Sequence, residues 1–475
     1  MEGAPGDPMN QASFSEAAPS EDVPGLGSVA VWAVVAVQFA PTFMFSGVAV
    51  ILPHLGAELG AGSVALGLVE TLFLGGSLSM LLPAGLLADA WDKRSLFKLG
   101  LSGFALTSLA VAMSSSMPVI LGIRLLQGVC AATCAATGPG MLTELVPSHQ
   151  RGRAFGASIA STYLGLAFGP VCAGLIVQSL GWRAVFTIGG LVLFVGLALV
   201  QLFLRSGLPP LLRRPPLDGV ALSGGAVLSL VLGTAEVNTI FGPGLLGLGV
   251  LLVGLFVRRQ LLSERPLLDL GSIIGNLALR DALLIQVMLY LHAFASVFML
   301  SLYLQQVLGA PPRDAGFVLA GGTAFMAVMA PLSGGLADRF GPLRVAAVGV
   351  AFVLLSAGLG AVLRPAWGLW GPLAIMGGHG AGFGMFSSSN MTTIMGAVQP
   401  GQSGRAGSWA AMARSIGMLG GMLLTSLSIS LALGKAGVEA APEAFLGAMH
   451  GAYGTICVGL FVAALVSVRR ILRPS

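Results

Sequence analysis

A rhythm of long apolar runs constrains this chain more than any other feature. Fourteen stretches of about 20 residues, the length that carries a helix across a bilayer, follow one another between breaks rich in charge, proline and glycine. They occupy 29–52, 65–87, 95–114, 118–142, 154–178, 184–204, 219–237, 241–258, 281–306, 315–336, 344–362, 367–390, 406–432 and 449–468. Only 9% of the 475 residues are charged, against 55% hydrophobic. Soluble domains carry about 25% charged residues. A chain this apolar has no polar surface to offer to water. That excludes a soluble enzyme, a nucleic-acid binder and a disordered protein, and it predicts an all-α polytopic membrane protein. The 69 glycines suit helices that approach closely in lipid.

The basic residues orient the runs. With the N-terminus in the cytoplasm and strict alternation, eighteen of the 24 Lys and Arg fall in cytoplasmic segments. Four (Arg183, Arg313, Arg364 and Lys435) fall outside, and Arg124 and Arg414 fall within runs. Cytoplasmic loops of membrane proteins are enriched in this way, so both termini are expected in the cytoplasm. The same bias explains the net charge of +5 without a nucleic-acid partner. Residues 1–27 hold five acids and no Lys or Arg. They are expected to form a disordered cytoplasmic tail rather than a secretory signal, which needs a basic start. Cys130, Cys134, Cys172 and Cys457 lie in apolar stretches without metal-ligand spacing and read as small core residues.

Two breaks repeat each other. Gly85-Leu-Leu-Ala-Asp89-Ala-Trp-Asp92-Lys93-Arg94 follows the second run, and Gly334-Gly-Leu-Ala-Asp338-Arg339-Phe-Gly341-Pro-Leu-Arg344 follows the tenth. Each closes the second run of a six-run set, so the chain reads as a duplication with 219–258 inserted. Repeats around a midplane site are a transporter architecture. The expected domains are a tail (1–27), an N-terminal six-helix half (28–205), a linker with two extra transmembrane helices (206–277) and a C-terminal six-helix half (278–475).

The first of these turns resembles the signature loop of the major facilitator superfamily. Arg124-Leu-Leu-Gln127-Gly128 in the fourth run resembles the family's R-x-x-Q-G pattern. Gly165-Leu-Ala-Phe-Gly169-Pro170-Val-Cys-Ala-Gly174 in the fifth resembles its antiporter motif, with Ala173 in place of one glycine. Leu304-Gln305 and Arg414-Ser-Ile-Gly417 resemble the fourteen-span drug:proton antiporter branch. The resemblance implies a major facilitator fold, proton-coupled export and a place in the plasma (inner) membrane. Two departures stand out. The branch carries an aspartate in its first helix where this chain has Met44, and an asparagine where it has Ala49. Asp92 replaces the glycine of the signature loop.

With that aspartate absent, the proton-coupling and cavity candidates are polar residues at membrane depth. Glu70 lies in the apolar run Val69-Glu70-Thr71-Leu72-Phe73, where an acid is expensive unless it faces a polar cavity. Arg124 needs a cavity or a partner for the same reason, and the resemblance implies a role in proton transfer beside Gln127. His292 and His379 titrate in the useful range, although a lone helical His is more often a packing residue. Arg414 is expected to be the buried cation of the second half. Gln286, Gln305, Gln306 and Asn390 can bind substrate or glue helices together; Glu236 can reach the interface. Gly85, Asp89, Arg94 and Asp338 are expected to form a conformational latch, with Asp89 capping a neighbouring helix and pairing with Arg94. Gly165, Gly169, Pro170 and Gly174 make a small-residue face with a kink.

No Walker loop, HExxH motif or paired acids suggest an enzyme, and no cofactor or metal is implied. The expected function is export of small amphiphilic compounds, such as a drug or secondary metabolite, by proton antiport with alternating access. The partners are substrate, protons and membrane lipid, with a monomer sufficient and a periplasmic adaptor left open. An uncoupled or import-type carrier and a lipid-handling flippase of the same fold are the alternatives.

Overall fold

The computed structural model describes residues 29–147, 151–203, 217–263, 268, 270–398, 403–434 and 437–472. Every regular element among them is helical. In chain order these are α1 (Val29–Val37), α2 (Phe39–Leu59), α3 (Ser63–Ala90), α4 (Lys93–Met113), α5 (Met117–Leu145), α6 (Arg151–Leu180), α7 (Trp182–Phe203), α8 (Leu217–Ala235), α9 (Gly242–Leu262), α10 (Leu270–Gly275), α11 (Leu277–Leu302), α12 (Pro312–Phe340), α13 (Pro342–Ala361), α14 (Trp370–Gly396), α15 (Ser403–Leu433) and α16 (Pro442–Leu472). The apolar runs lie on these helices, the first divided between α1 and α2 and the ninth continuing past α11 into a π turn, with ends that differ by several residues. Within the described residues ten helices are long and apolar enough to cross a membrane; α1 and α2 together make the first of them. The long helices α6, α8, α12 and α14 are not in that set. The protein is a multi-pass membrane protein.

Local chemistry starts and stops these helices. Pro118, Pro243, Pro312 and Pro342 stand in first turns, where the missing N–H costs nothing. Gly60, at φ 62°, ends α2 in the left-handed conformation that an L side chain resists. The Asn276 side chain accepts from the Leu279 N–H at 3.1 Å and starts α11. Asp92, the departure in the signature loop, turns out to be a helix cap. Its carboxylate accepts from the backbone of Arg94 (3.4 Å) and Ser95 (3.1 Å), and from Ser95 Oγ (2.7 Å), at the start of α4. Asp92→Ala is expected to lower stability by about 1 kcal/mol, and Asp92→Gly by only a few tenths. Thermal unfolding in detergent checks the order; equal losses would count against the cap.

The packing repeats. In α2–α7 the first helix packs on the fifth (α2 on α6), the second on the fourth (α3 on α5) and the third on the sixth (α4 on α7). In α11–α16 the same pairs recur as α11 on α15, α12 on α14 and α13 on α16. Helices α8 and α9 pair with each other, and α8 also lies against both α3 and α15. Thus α8 spans the seam between the two sets, while α9 is mostly exposed. Glycines permit the tightest approaches. A Cβ on Gly128 of α5 would run into the Phe73 carbonyl of α3, and one on Gly380 of α14 into the Gly322 carbonyl of α12.

The two sets meet along α6–α12, α3–α15 and α2–α11. The contacts gather at the end of the bundle where α2 and α6 finish. A Cβ on Gly174 would lie 2.6 Å from the Pro312 carbonyl, and one on Gly316 would strike the Pro170 carbonyl. On the other seam, a Cβ on Gly67 would lie 2.9 Å from Ser426 Oγ.

Candidate functional site

A buried polar string crosses the first set. Arg124 on α5 is 1% exposed. Its Nε donates to the Val69 carbonyl of α3 at 3.0 Å, and its Nη1 donates to Gln127 Oε1 at 2.5 Å. Gln127 Nε2 donates in turn to Ser108 Oγ of α4 at 2.8 Å. Ser108 gives its proton to the Phe104 carbonyl and lies 3.7 Å from Met44 Sδ of α2. The guanidinium also sits 4.5 Å from the centre of the Phe73 ring, a favourable place for a cation out of water. Glu70 is 3% exposed, its Oε1 has no hydrogen-bond partner, and Arg124 is the charge acting on it. The two do not form a direct ion pair; Arg124 Nη2 is unpartnered as well. An acid and a base are thus enclosed side by side with spare hydrogen-bonding capacity, an arrangement able to take up and release a proton or a polar ligand.

Met44 of α2 carries a thioether and no ionisable group. It is 2% exposed and pressed against Gly189 of α7, where a Cβ would collide with its thioether.

In the second set His292 of α11 is fully buried and His379 of α14 is 8% exposed, with ring centres 5.2 Å apart. Arg414 does not join them. It is exposed on α15, and the expectation of a buried cation there is corrected. α15 is covered by α3 near Ser426, toward the closed end, and Arg414 lies three turns away where that cover is missing. Gln286 and Asn390 act as helix glue. Gln286 Nε2 donates to the Ala410 carbonyl at 2.7 Å, and Asn390 Nδ2 to Gln286 Oε1 at 3.1 Å. Glu236 is exposed just past α8.

Of the expected latch, the Asp89 and Asp338 side chains lie outside the described residues. Arg94 is half-buried at the start of α4. A Cβ on Gly85 would meet none of the described residues within 4 Å. Among the described residues the sets touch toward the opposite end, and none of those residues presses on Gly85. The antiporter-motif glycines behave as a packing face. Cβ atoms on Gly165 and Gly169 would strike Thr42 and Ser46 of α2, and Ser46 Oγ bonds the Gly165 carbonyl at 3.3 Å. Pro170 and Gly174 instead face α12 across the seam.

The closed end holds cross-seam contacts of Ser301, which the sequence did not mark, and of Gln305, which it did. Pro53 has no N–H to give to the Ala49 carbonyl four residues earlier. Ser301 of α11 donates its hydroxyl to that carbonyl across the seam. One turn on, Gln305 Nε2 donates to the Val50 carbonyl at 3.1 Å. Gln305 lies in a π turn, Tyr303–Val307, at the end of α11; such turns are often found at functional sites. A proline within the first run was the available signal, since it announces a carbonyl needing a partner.

The chain matches the Major Facilitator Superfamily over residues 34–422. It is 28% identical over 342 residues to the riboflavin transporter RibZ of Clostridioides difficile, covering 70% of this chain and 73% of that protein. It is 29% identical over 411 residues to the methyl viologen resistance protein SmvA of Salmonella typhimurium, covering 82% and 80%. The tetracenomycin C resistance and export protein of Streptomyces glaucescens is 31% identical over 270 residues, 55% of this chain and only 50% of that protein. Among solved structures, a POT family transporter in complex with 5-aminolevulinic acid superposes with a TM-score of 0.71 at 12% identity, covering 92% of this chain and 96% of that one. That likeness concerns the fold alone. Repeated helix pairing, closure at one end and a match over most of the chain agree: this chain belongs to the major facilitator superfamily.

Proposed function

We propose that the protein exports small amphiphilic compounds in exchange for protons, by alternating access between two six-helix halves, residues 28–205 and 278–475. In this reading there are fourteen spans. The linker 206–277 supplies α8 and α9, and both termini lie in the cytoplasm at the plasma (inner) membrane. The observation that carries it is Glu70, an enclosed carboxyl with an unpartnered oxygen beside the Arg124–Gln127–Ser108 string. Glu70 stands three residues from Gly67, where α3 meets Ser426 of α15. In this reading, closing the seam completes its enclosure. A carboxyl in apolar surroundings is cheaper neutral than charged, so seam closure and a proton on Glu70 support each other, and binding one favours the other. With the closed end outward, the protein is shut to the outside. Opening that end exposes Glu70 to external protons, and opening the other releases them inside as substrate enters. The relatives named for resistance to methyl viologen and for export of tetracenomycin C agree with this direction. The latch of Gly85, Asp89, Arg94 and Asp338 would act at the inner end, in the conformer where the halves meet there.

The test uses everted membrane vesicles with an acid lumen, in which added ethidium is expected to draw protons out as it is carried in. Recovery of quenched acridine orange fluorescence reports the proton movement. Ethidium accumulation with no such recovery would overturn antiport. It would favour the second reading, an uncoupled or import-type carrier, which the packed Met44 and the similarity to a riboflavin transporter support.

A further inference from the structure

The duplication reaches down to single side chains. Met44 is the sixteenth residue of the span Val29–Leu59, and His292 is the sixteenth of Leu277–Val307; both spans have 31 residues. Met44 meets Ser108 and His292 meets Ser356, each pair 64 residues apart in the chain. Gly128 and Gly380 set the register of the fourth helices, because each presses on the backbone of the second helix of its set. The residue before Gly128 is Gln127, and the residue before Gly380 is His379. First, third and fourth helices therefore contribute Met44, Ser108 and Gln127 in one half, and His292, Ser356 and His379 in the other.

The two strings differ in how they end. In the first half Gln127 is closed on both sides, accepting from Arg124 and donating to Ser108. In the second, Ser356 Oγ donates its one proton to the Ile375 carbonyl at 2.7 Å. It must therefore accept from His292 Nε2, 3.2 Å away. His292 Nδ1 then accepts from Ser296 Oγ at 3.3 Å. His292 is fixed as a neutral tautomer with both ring nitrogens engaged. Nothing remains for His379, whose Nδ1 is buried without a partner while the residue is more than nine-tenths buried. A buried polar atom left unmade is costly, and sites that hydrogen-bond a ligand carry that cost when empty.

Aromatic rings lead to this atom. Phe73, beside Arg124, stacks on Phe45 at 5.2 Å, and Phe45 meets Phe294 of the other half at 5.3 Å. Tyr290 lies one turn before Phe294 on α11 and crosses Phe383 edge-on at 4.9 Å, while Phe383 lies 5.5 Å from His379. The rings thus link the Arg124–Glu70 end to the imidazole end. Among the described residues, the side chains that bond or face the two histidines are Ser296, Ser356, Tyr453 and Phe383, none of them charged. An ion brought here would find no counter-charge among them.

We propose that His379 is a substrate-contacting residue, whose Nδ1 hydrogen-bonds the uncharged polar edge (an N–H or a carbonyl) of a flat aromatic substrate lying along this row of rings. This rests on the export reading of the same site and adds a substrate class to it. The test measures binding of two fluorescent probes to the full chain in lipid nanodiscs: riboflavin, an uncharged flat ring system with N–H and carbonyl groups, and ethidium, a flat cation. His379→Phe keeps a ring and removes the hydrogen bond. It is expected to shift the riboflavin-to-ethidium affinity ratio at least tenfold against riboflavin. His379→Gln, which installs the residue of the first half, is expected to recover most of that shift. An unchanged ratio in His379→Phe, or wild-type protein that binds no riboflavin, would overturn the assignment. Binding is read without a proton gradient, so failure of proton antiport in vesicles would leave this result standing on its own.

Discussion

Glu70→Gln is expected to cut proton-driven ethidium export at least tenfold while leaving ethidium exchange across vesicles without a gradient close to wild type. The amide keeps the shape of the carboxyl and can still hydrogen-bond, so the packing around 3%-exposed Glu70 should survive. What it loses is the ability to carry a proton between the two openings of the bundle. Arg124→Leu should behave differently. It strands Gln127 Oε1 and takes the extra donor from the Val69 carbonyl, both now bonded by the guanidinium, and leaves Glu70 enclosed without its cation. An unsatisfied buried polar group costs about 1–3 kcal/mol, so this variant should lose stability and exchange together. Parallel measurements of gradient-driven export, exchange and thermal unfolding separate the two. Wild-type driven export in Glu70→Gln would remove the acid from the coupling mechanism, and loss of exchange in that variant would make its role structural.

Much of the fold is legible in the sequence because the bilayer is a strict solvent. It demands runs of about 20 apolar residues and makes any charge within them conspicuous. That is why Glu70 and Arg124 stand out before any coordinates, and why the structure finds them together. Arg414 carries the same signal and misleads. Depth within a run says that a charge is unusual, but whether a helix face is covered depends on which end of the bundle is closed. Ser108 and Ser356 are silent in the sequence. A serine can satisfy its hydroxyl on its own helix, so nothing marks the two that join three helices. The signature-loop glycine invites a reading as a close approach, whereas a Cβ on Gly85 would meet none of the described residues within 4 Å. A sequence encodes both conformers of a rocking carrier, and a single structure displays the contacts of one.

The closed end makes the second large prediction. Ser301→Val combined with Gln305→Leu should release it. The two donors are the hydrogen bonds from α11 onto the Ala49 and Val50 carbonyls of α2. The Ala49 carbonyl has no alternative within its helix, because Pro53 lacks the N–H that would reach it. In the variant that carbonyl faces an apolar side chain while the seam stays shut, and finds a partner only when it opens. Each lost bond is worth about 1 kcal/mol, and the stranded carbonyl adds about 1–3 kcal/mol more. Together they are expected to shift the equilibrium toward the conformer open at this end by about 100-fold or more. Cysteines placed on either side of the seam, at Val171 of α6 and Phe317 of α12, give the measurement in an otherwise cysteine-free background. Their cross-linking should fall in the double variant and stay high in the parent. The single change Gln305→Leu should give a smaller shift, since Val50 keeps its place in a helix without a local proline break. Equal cross-linking in parent and double variant would mean that the glycine contacts of α6 with α12 hold the seam unaided, and that the π turn serves packing rather than closure.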